Sequence, residues 1–82
     1  MKPFSVRIRG YNGGTEVLEN MRSLDTVEIL KKKIYEVFEV NIADQDLVYK
    51  NAKLTDNEKT LGELGFDDFS IVYMFVQLQG GD

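Results

Sequence analysis

The side chains of this chain best suited to chemistry are its acids. Asp44 and Asp46 stand two positions apart, and Asp67 and Asp68 are adjacent. Paired carboxylates can move a proton or hold a cation through oxygen ligands. The chain has no histidine and no cysteine. That removes His-based acid–base catalysis, thiolate nucleophiles, disulfides and zinc sites of the Cys/His kind. No nucleophile forms a constellation with either acid pair, so both read as solvated loop or strand edge. No enzymatic activity, metal or cofactor is expected. The stretch Gly10-Tyr11-Asn12-Gly13-Gly14 lacks the lysine and the following helix that would cradle a phosphate. Lys31, Lys32 and Lys33 concentrate positive charge, but Glu28, Glu36 and Glu39 surround them at pairing distances. The triplet reads as a solvated helix face.

With 82 residues there is room for one core and one domain. The net charge of −4 argues against nucleic acid, which needs an excess of Lys and Arg. The longest apolar run, Ile71 to Val76, is far short of the roughly 18 residues that cross a bilayer. Met1-Lys2-Pro3-Phe4 lacks the hydrophobic stretch of a secretion signal. A soluble intracellular monomer is expected, cytoplasmic or nuclear, with neither membrane nor nucleic acid as partner.

Phe4, Val6 and Ile8 alternate with Ser5, Arg7 and Arg9, which predicts a half-buried strand. The glycines after it permit a reversal, and Thr15 to Met21 reads as the returning strand. Its register is open: Val17 and Met21 suit one face, Leu18 the other, and a bulge would reconcile them. Val27, Leu30, Ile34 and Val37 or Phe38 then recur at helical spacing. Asp25 and Glu28 have the spacing of a capping box, with Leu24 and Ile29 as its hydrophobic staple. The helix should stop near Glu39. Asp46 to Tyr49 reads as a short strand, Lys50-Asn51 as a left-handed turn, and Lys53-Leu54 as a brief fourth strand. Leu61, Leu64 and Phe66 predict one helical turn on the core, and Ser70 to Leu78 the last and longest strand. A sheet with one helix across one face is the simplest assembly.

This order and these residues resemble ubiquitin and its relatives from end to end. Leu24-Asp25-Thr26-Val27-Glu28 resembles the family's Ser-Asp-Thr-Ile-Glu helix start, and Lys31, Lys33 and Ile34 the Lys-x-Lys-Ile that follows. Asp44-Gln45-Asp46-Leu47-Val48-Tyr49 resembles Gln-Gln-Arg-Leu-Ile-Phe, and Lys53-Leu54-Thr55-Asp56 resembles Gln-Leu-Glu-Asp. Thr60 to Phe66 resembles Thr-Leu-Ser-Asp-Tyr-Asn-Ile, and Gln77-Leu78-Gln79-Gly80-Gly81 the Arg-Leu-Arg-Gly-Gly terminus. The spacing holds with one extra residue near the first hairpin and one near Lys59. The resemblance implies an α+β fold of the ubiquitin-like β-grasp type: a mixed sheet of four to five strands with one main helix packed across one face. It implies a domain over 1–79 and a flexible tail over 80–82.

The resemblance also implies a protein-binding surface. The family's hydrophobic patch falls on Tyr11, Val48 and Phe75. Strand parity independently turns Val48, Tyr73, Phe75 and Gln77 outward if Leu47, Tyr49, Val72, Met74 and Val76 face inward. Aromatic side chains there suit an interface, although strand propensity alone would also favour them. The expected partners are proteins with ubiquitin-like-binding surfaces, in the ubiquitin–proteasome or a related signalling system. Two departures matter. The arginines that flank the family patch fall on Asp46 and Gln77, so partners that bring acids to those arginines should bind poorly. The lysines ubiquitin uses most for chain building fall on Ala52 and Asp68, and the arginine before the terminal glycines on Gln79.

Gly80-Gly81 admits a second role. A conjugated terminus must thread a narrow channel and present a bare carboxylate, which glycine permits. Asp82 would first have to be removed. The alternative function is thus a conjugatable modifier activated through Gly81. A linker to a further domain, or a sulfur carrier, are the other readings of the same two glycines.

Overall fold

Residues 2–77 are described by the computed structural model. Its first strand, β1 (Phe4–Arg9), buries Phe4, Val6 and Ile8 and exposes Arg7 and Arg9, as a period of two requires. The turn that follows is closed by hydrogen bonds from Gly10 N–H to the Gly14 carbonyl at 2.7 Å and from Gly13 N–H to the Gly10 carbonyl at 3.1 Å. Gly13 there takes φ +86°, which a side chain would strain.

The returning strand β2 (Thr15–Met21) contains the bulge that its sequence left open. Phe4 pairs with Met21 but Val6 pairs with Leu18, so two steps along β1 match three along β2. Asn20 absorbs the extra residue in a left-handed conformation, φ 63°. Both Leu18 and Met21 thereby reach the core, and Val17 and Glu19 stay outside.

The helix α1 (Val27–Phe38) starts one residue later than the capping-box reading places it. Thr26 is the cap, its hydroxyl accepting from Ile29 N–H at 3.3 Å. Asp25 instead accepts from Arg22 N–H at 2.9 Å and closes the preceding turn. The first helical donors go to the main chain of a distant loop: Val27 N–H to the Lys59 carbonyl at 2.9 Å and Glu28 N–H to that of Asn57 at 3.1 Å. Tertiary partners therefore do what the box would have done. With the start shifted, Leu24 no longer holds the staple position, and both Leu24 and Ile29 are exposed. The reciprocal box lies elsewhere. Thr60 N–H donates to Glu63 Oε1 at 2.9 Å, and Glu63 N–H donates to the Thr60 hydroxyl at 3.2 Å. It opens the single turn that seats Leu61 and Phe66 in the core.

Val27, Leu30 and Ile34 are the buried face of α1, with Phe38 packed beside them and Val37 exposed. Glu39 ends the helix at φ 59°, its N–H bonded to the Tyr35 carbonyl. A 3-10 turn (Ile42–Asp44) leads into β3 (Gln45–Tyr49). Gln45 is buried, and its amide nitrogen donates to the carbonyls of Lys31 and Val40, fastening β3 to the body of the helix and to the segment just past it. Lys50 and Asn51 both take positive φ and turn the chain into β4 (Ala52–Lys53). That strand lies one residue earlier than expected, and Leu54 is buried behind it.

The last strand, β5 (Ile71–Val76), is shorter than the expected Ser70 to Leu78. Ser70 is drawn into a buried polar cluster, its hydroxyl 3.0 Å from the Tyr49 hydroxyl and accepting from Asp67 N–H at 2.8 Å. Leu78 and the tail Gly80-Gly81-Asp82 lie outside the described residues. The sheet order is β2-β1-β5-β3-β4, with β1 and β5 parallel at its centre and the other pairs antiparallel. One hydrophobic core fills the space between this sheet and α1.

Candidate protein-binding face

Alternation along β5 sorts its side chains onto two faces. Val72 and Met74 are 0% and 1% exposed beneath the helix, whereas Ile71, Tyr73 and Phe75 keep 39%, 45% and 53% of their surface in solvent. β3 follows the same rule: Leu47 and Tyr49 are buried, and Asp46 and Val48 are half-buried on the outside. Register joins the two strands. Asp46 stands opposite Phe75, and Val48 opposite Tyr73. Directly opposed residues share a face, so Val48, Tyr73 and Phe75 form one surface, as strand parity predicts.

The other site residues lie around this surface. Asp46 forms an ion pair with Lys53 at 3.6 Å, on the β3–β4 flank. Gln77 is exposed just past β5, its N–H bonded to the Asp44 carbonyl at 2.8 Å. Tyr11 projects from the first turn and, with Phe75 and Val76, lines an open groove bounded by Glu39, Val40 and Asp44. Val76, expected inward, is only partly buried at the rim of the core.

Several further residues belong to this face. Ile71 shares the parity of Tyr73 and Phe75 and could have been read from it. Arg7 and Arg9 were legible as the wet side of β1, but their neighbours were not. Parallel pairing sets Arg7 beside Ile71 and Arg9 beside Tyr73. On the other side of β1, Arg7 meets Val17 and Arg9 meets Thr15. Phe69 is 82% exposed. A turn in which Phe69 N–H donates to Asp67 Oδ1 at 3.0 Å lifts it clear of the core.

Three of the four paired acids have side-chain partners within the fold. Asp68 Oδ1 accepts from Ser5 N–H at 3.0 Å, tying the loop before β5 to β1. Asp67 closes its own turn, and Asp46 pairs with Lys53. Among the described residues no group of three acids is placed to hold a metal ion, and no helix is long and apolar enough to cross a membrane. The pKa of Glu63, remote from the face in the Thr60 box, is lowered by the Thr60 N–H and then by the Thr60 hydroxyl.

A mixed five-stranded sheet wrapped on one helix, with its first and last strands parallel at the centre, defines the β-grasp class. Residues 6–79 match the model of the ubiquitin family, and the chain belongs to that family. No curated protein matches it by sequence. Among solved structures it is similar to the solution structure of the ubiquitin-like domain of Arabidopsis thaliana protein At2g32350. The two share 26% identity and a TM-score of 0.86, over 100% of this chain and 87% of that one. A second structure of the Arabidopsis protein, from evolutionary couplings and sparse NMR data, gives 25% identity and a TM-score of 0.85, over 98% and 93% of the two chains. A protein designed de novo on the basis of ubiquitin shares the fold at 20% identity and a TM-score of 0.83, over 99% and 96%.

Proposed function

We propose that this ubiquitin-like domain works by recognition, offering the face of Val48, Tyr73 and Phe75 to a protein partner. The observation that supports the reading most is the exposed row Ile71, Tyr73, Phe75 on an otherwise acidic domain. Three large apolar side chains in register, flanked by polar groups, are what an interface core surrounded by a polar rim requires. Tyr and Phe also have few rotatable bonds to freeze on binding. Burial of the row supplies roughly 25 cal/mol per Å² of apolar surface, less the cost of association and ordering. The test is quantitative binding of cellular proteins to the wild-type chain and to a Tyr73→Ala/Phe75→Ala variant. Partners are expected to fall away from the variant while its fold persists. Retention of every partner at unchanged affinity overturns the reading.

A second reading rests on Leu78-Gln79-Gly80-Gly81, which resembles the terminus of the family's conjugated members. In it, Asp82 is removed and Gly81 joins a substrate amine. Mass spectrometry of cellular protein decides it: a substrate lysine carrying the chain through Gly81 supports conjugation, and a cellular pool found only uncleaved after Gly81 excludes it.

A further inference from the structure

The outer face is apolar along β5 but electrically lopsided across it. On the β1 flank, Arg7 and Arg9 stand beside Ile71 and Tyr73, and the residues opposed to them on β2 are Val17 and Thr15. No acid occupies any of those four neighbouring positions. Among the described residues neither guanidinium has an ion-pair or hydrogen-bond partner, and the one ion pair is Lys53–Asp46 on the opposite flank. There the carboxylate of Asp46 sits opposite Phe75 and is partly neutralised by Lys53, and Lys50 borders Ile71 and Tyr73 at the other end of the row. In a chain of net charge −4, two arginines on one strand face, without a partner among the described residues and bordering an aromatic row, are a local reversal of sign. Solubility of an outward strand face needs no such pair, since neutral or acidic side chains would serve. Arginine is the cation that gives up water most readily and that binds carboxylates through a rigid fork.

We propose that this face takes an amphipathic segment of a partner protein whose apolar side chains cover Ile71, Tyr73 and Phe75 and whose acidic side chains stand over Arg7 and Arg9. The inference rests on the recognition reading above and adds the partner's charge and its orientation. Strands lie about 4.8 Å apart, so acids one strand away from the apolar row reach the guanidinium groups while the row is covered. The reverse placement would set those acids over Asp46. From Ile71 to Phe75 the exposed row spans roughly 13 Å, the length of a helix of about nine residues. The arginines that the family's patch would carry at Asp46 and Gln77 are absent; Arg7 and Arg9 stand on the other side of the same row with no acid directly beside them, whereas on the β3 side Lys50 borders Ile71 and Tyr73 and Asp46 stands opposite Phe75.

The probes are two synthetic amphipathic peptides of about 14 residues with one common leucine face. One carries glutamates along a single flank, and the other carries lysines at the same positions. Titration is followed through the backbone amide resonances of the whole chain. The glutamate peptide is expected to shift Arg7, Arg9, Ile71, Tyr73 and Phe75. It should bind about tenfold more tightly than the lysine peptide at low salt, with the gap closing as salt is raised. In an Arg7→Gln/Arg9→Gln variant the preference should vanish while the resonance dispersion of the fold is kept. Equal binding of the two peptides on this face, or a preference that survives in the variant, overturns the charge assignment and leaves the recognition face standing. Shifts confined to other surfaces, or none from either peptide, overturn both. Closure of the face by a second copy, seen as concentration-dependent shifts of the same residues without peptide, also overturns the inference.

Discussion

The two faces of β5 differ by one residue in register and by everything in consequence. Val72 and Met74 lie in a closed core against α1. Tyr73 and Phe75, their immediate neighbours in sequence, are near half exposed. The inner side chains hold the sheet to the helix. The outer ones are not needed for that, because the core is complete without them. A single six-residue strand thus has a core side and a solvent side by alternation alone, and under the proposed function substitutions on its two sides should have effects of different kinds.

The largest expected effect is on the inner side. Met74→Ala removes a fully buried side chain from the centre of the sheet. It should cost about 2–5 kcal/mol of unfolding free energy, read as a lower midpoint in urea at unchanged slope. A value near zero would mean that the inner face is not the stabilising one. Next comes the outer side. Phe75→Ala should weaken partner binding by about 2 kcal/mol or more while changing stability by less than about 1 kcal/mol. A large stability loss from Phe75→Ala would break the comparison.

Smaller effects sharpen it from the edges. Thr26→Ala removes the cap of the helix that covers the inner face and should cost about 1 kcal/mol. It should leave partner binding unchanged, as measured by the same titration. Smallest is Glu63→Gln, in a turn distant from the outer face. The fold lowers the pKa of Glu63, chiefly through the Thr60 N–H, so it favours the charged form. That contribution is present at neutral pH and is lost as pH falls through and below the ordinary carboxylate range. The stability difference between wild type and Glu63→Gln should therefore shrink on acidification. A difference that grows instead would refute the Thr60–Glu63 pairing.

Much of this was legible in the residues. Alternation gave β1 and both faces of β5, and helical spacing gave Val27, Leu30 and Ile34. The outward set Val48, Tyr73 and Phe75 followed from parity, and the structure brings those three onto one surface. The helix start was misread for an identifiable reason. Asp25 and Glu28 have the spacing of a box, but its two donors go elsewhere: Glu28 N–H to the carbonyl of Asn57, some thirty positions away, and Asp25 N–H to that of Arg22. The same pattern at Thr60 and Glu63 forms a true box where the turn is short and its donors have no other partner in reach. The positions of Arg7 and Arg9 relative to the aromatic row could not be read either. They depend on parallel pairing between the first and last strands.

By itself the sequence determined the hidden and wet sides of β1, α1 and most of β5, because burial within a regular strand or helix follows a local period; the bulged β2 escaped it. It also determined the family, through motifs in constant order. Only the tertiary structure decided what lies beside what: the bulge at Asn20, the cap at Thr26, and the arginines set against Ile71 and Tyr73. The bulge and the arginine placement depend on pairing between separate strands, and the cap depends on competition from distant carbonyls for the first helical donors, none of which a local period encodes.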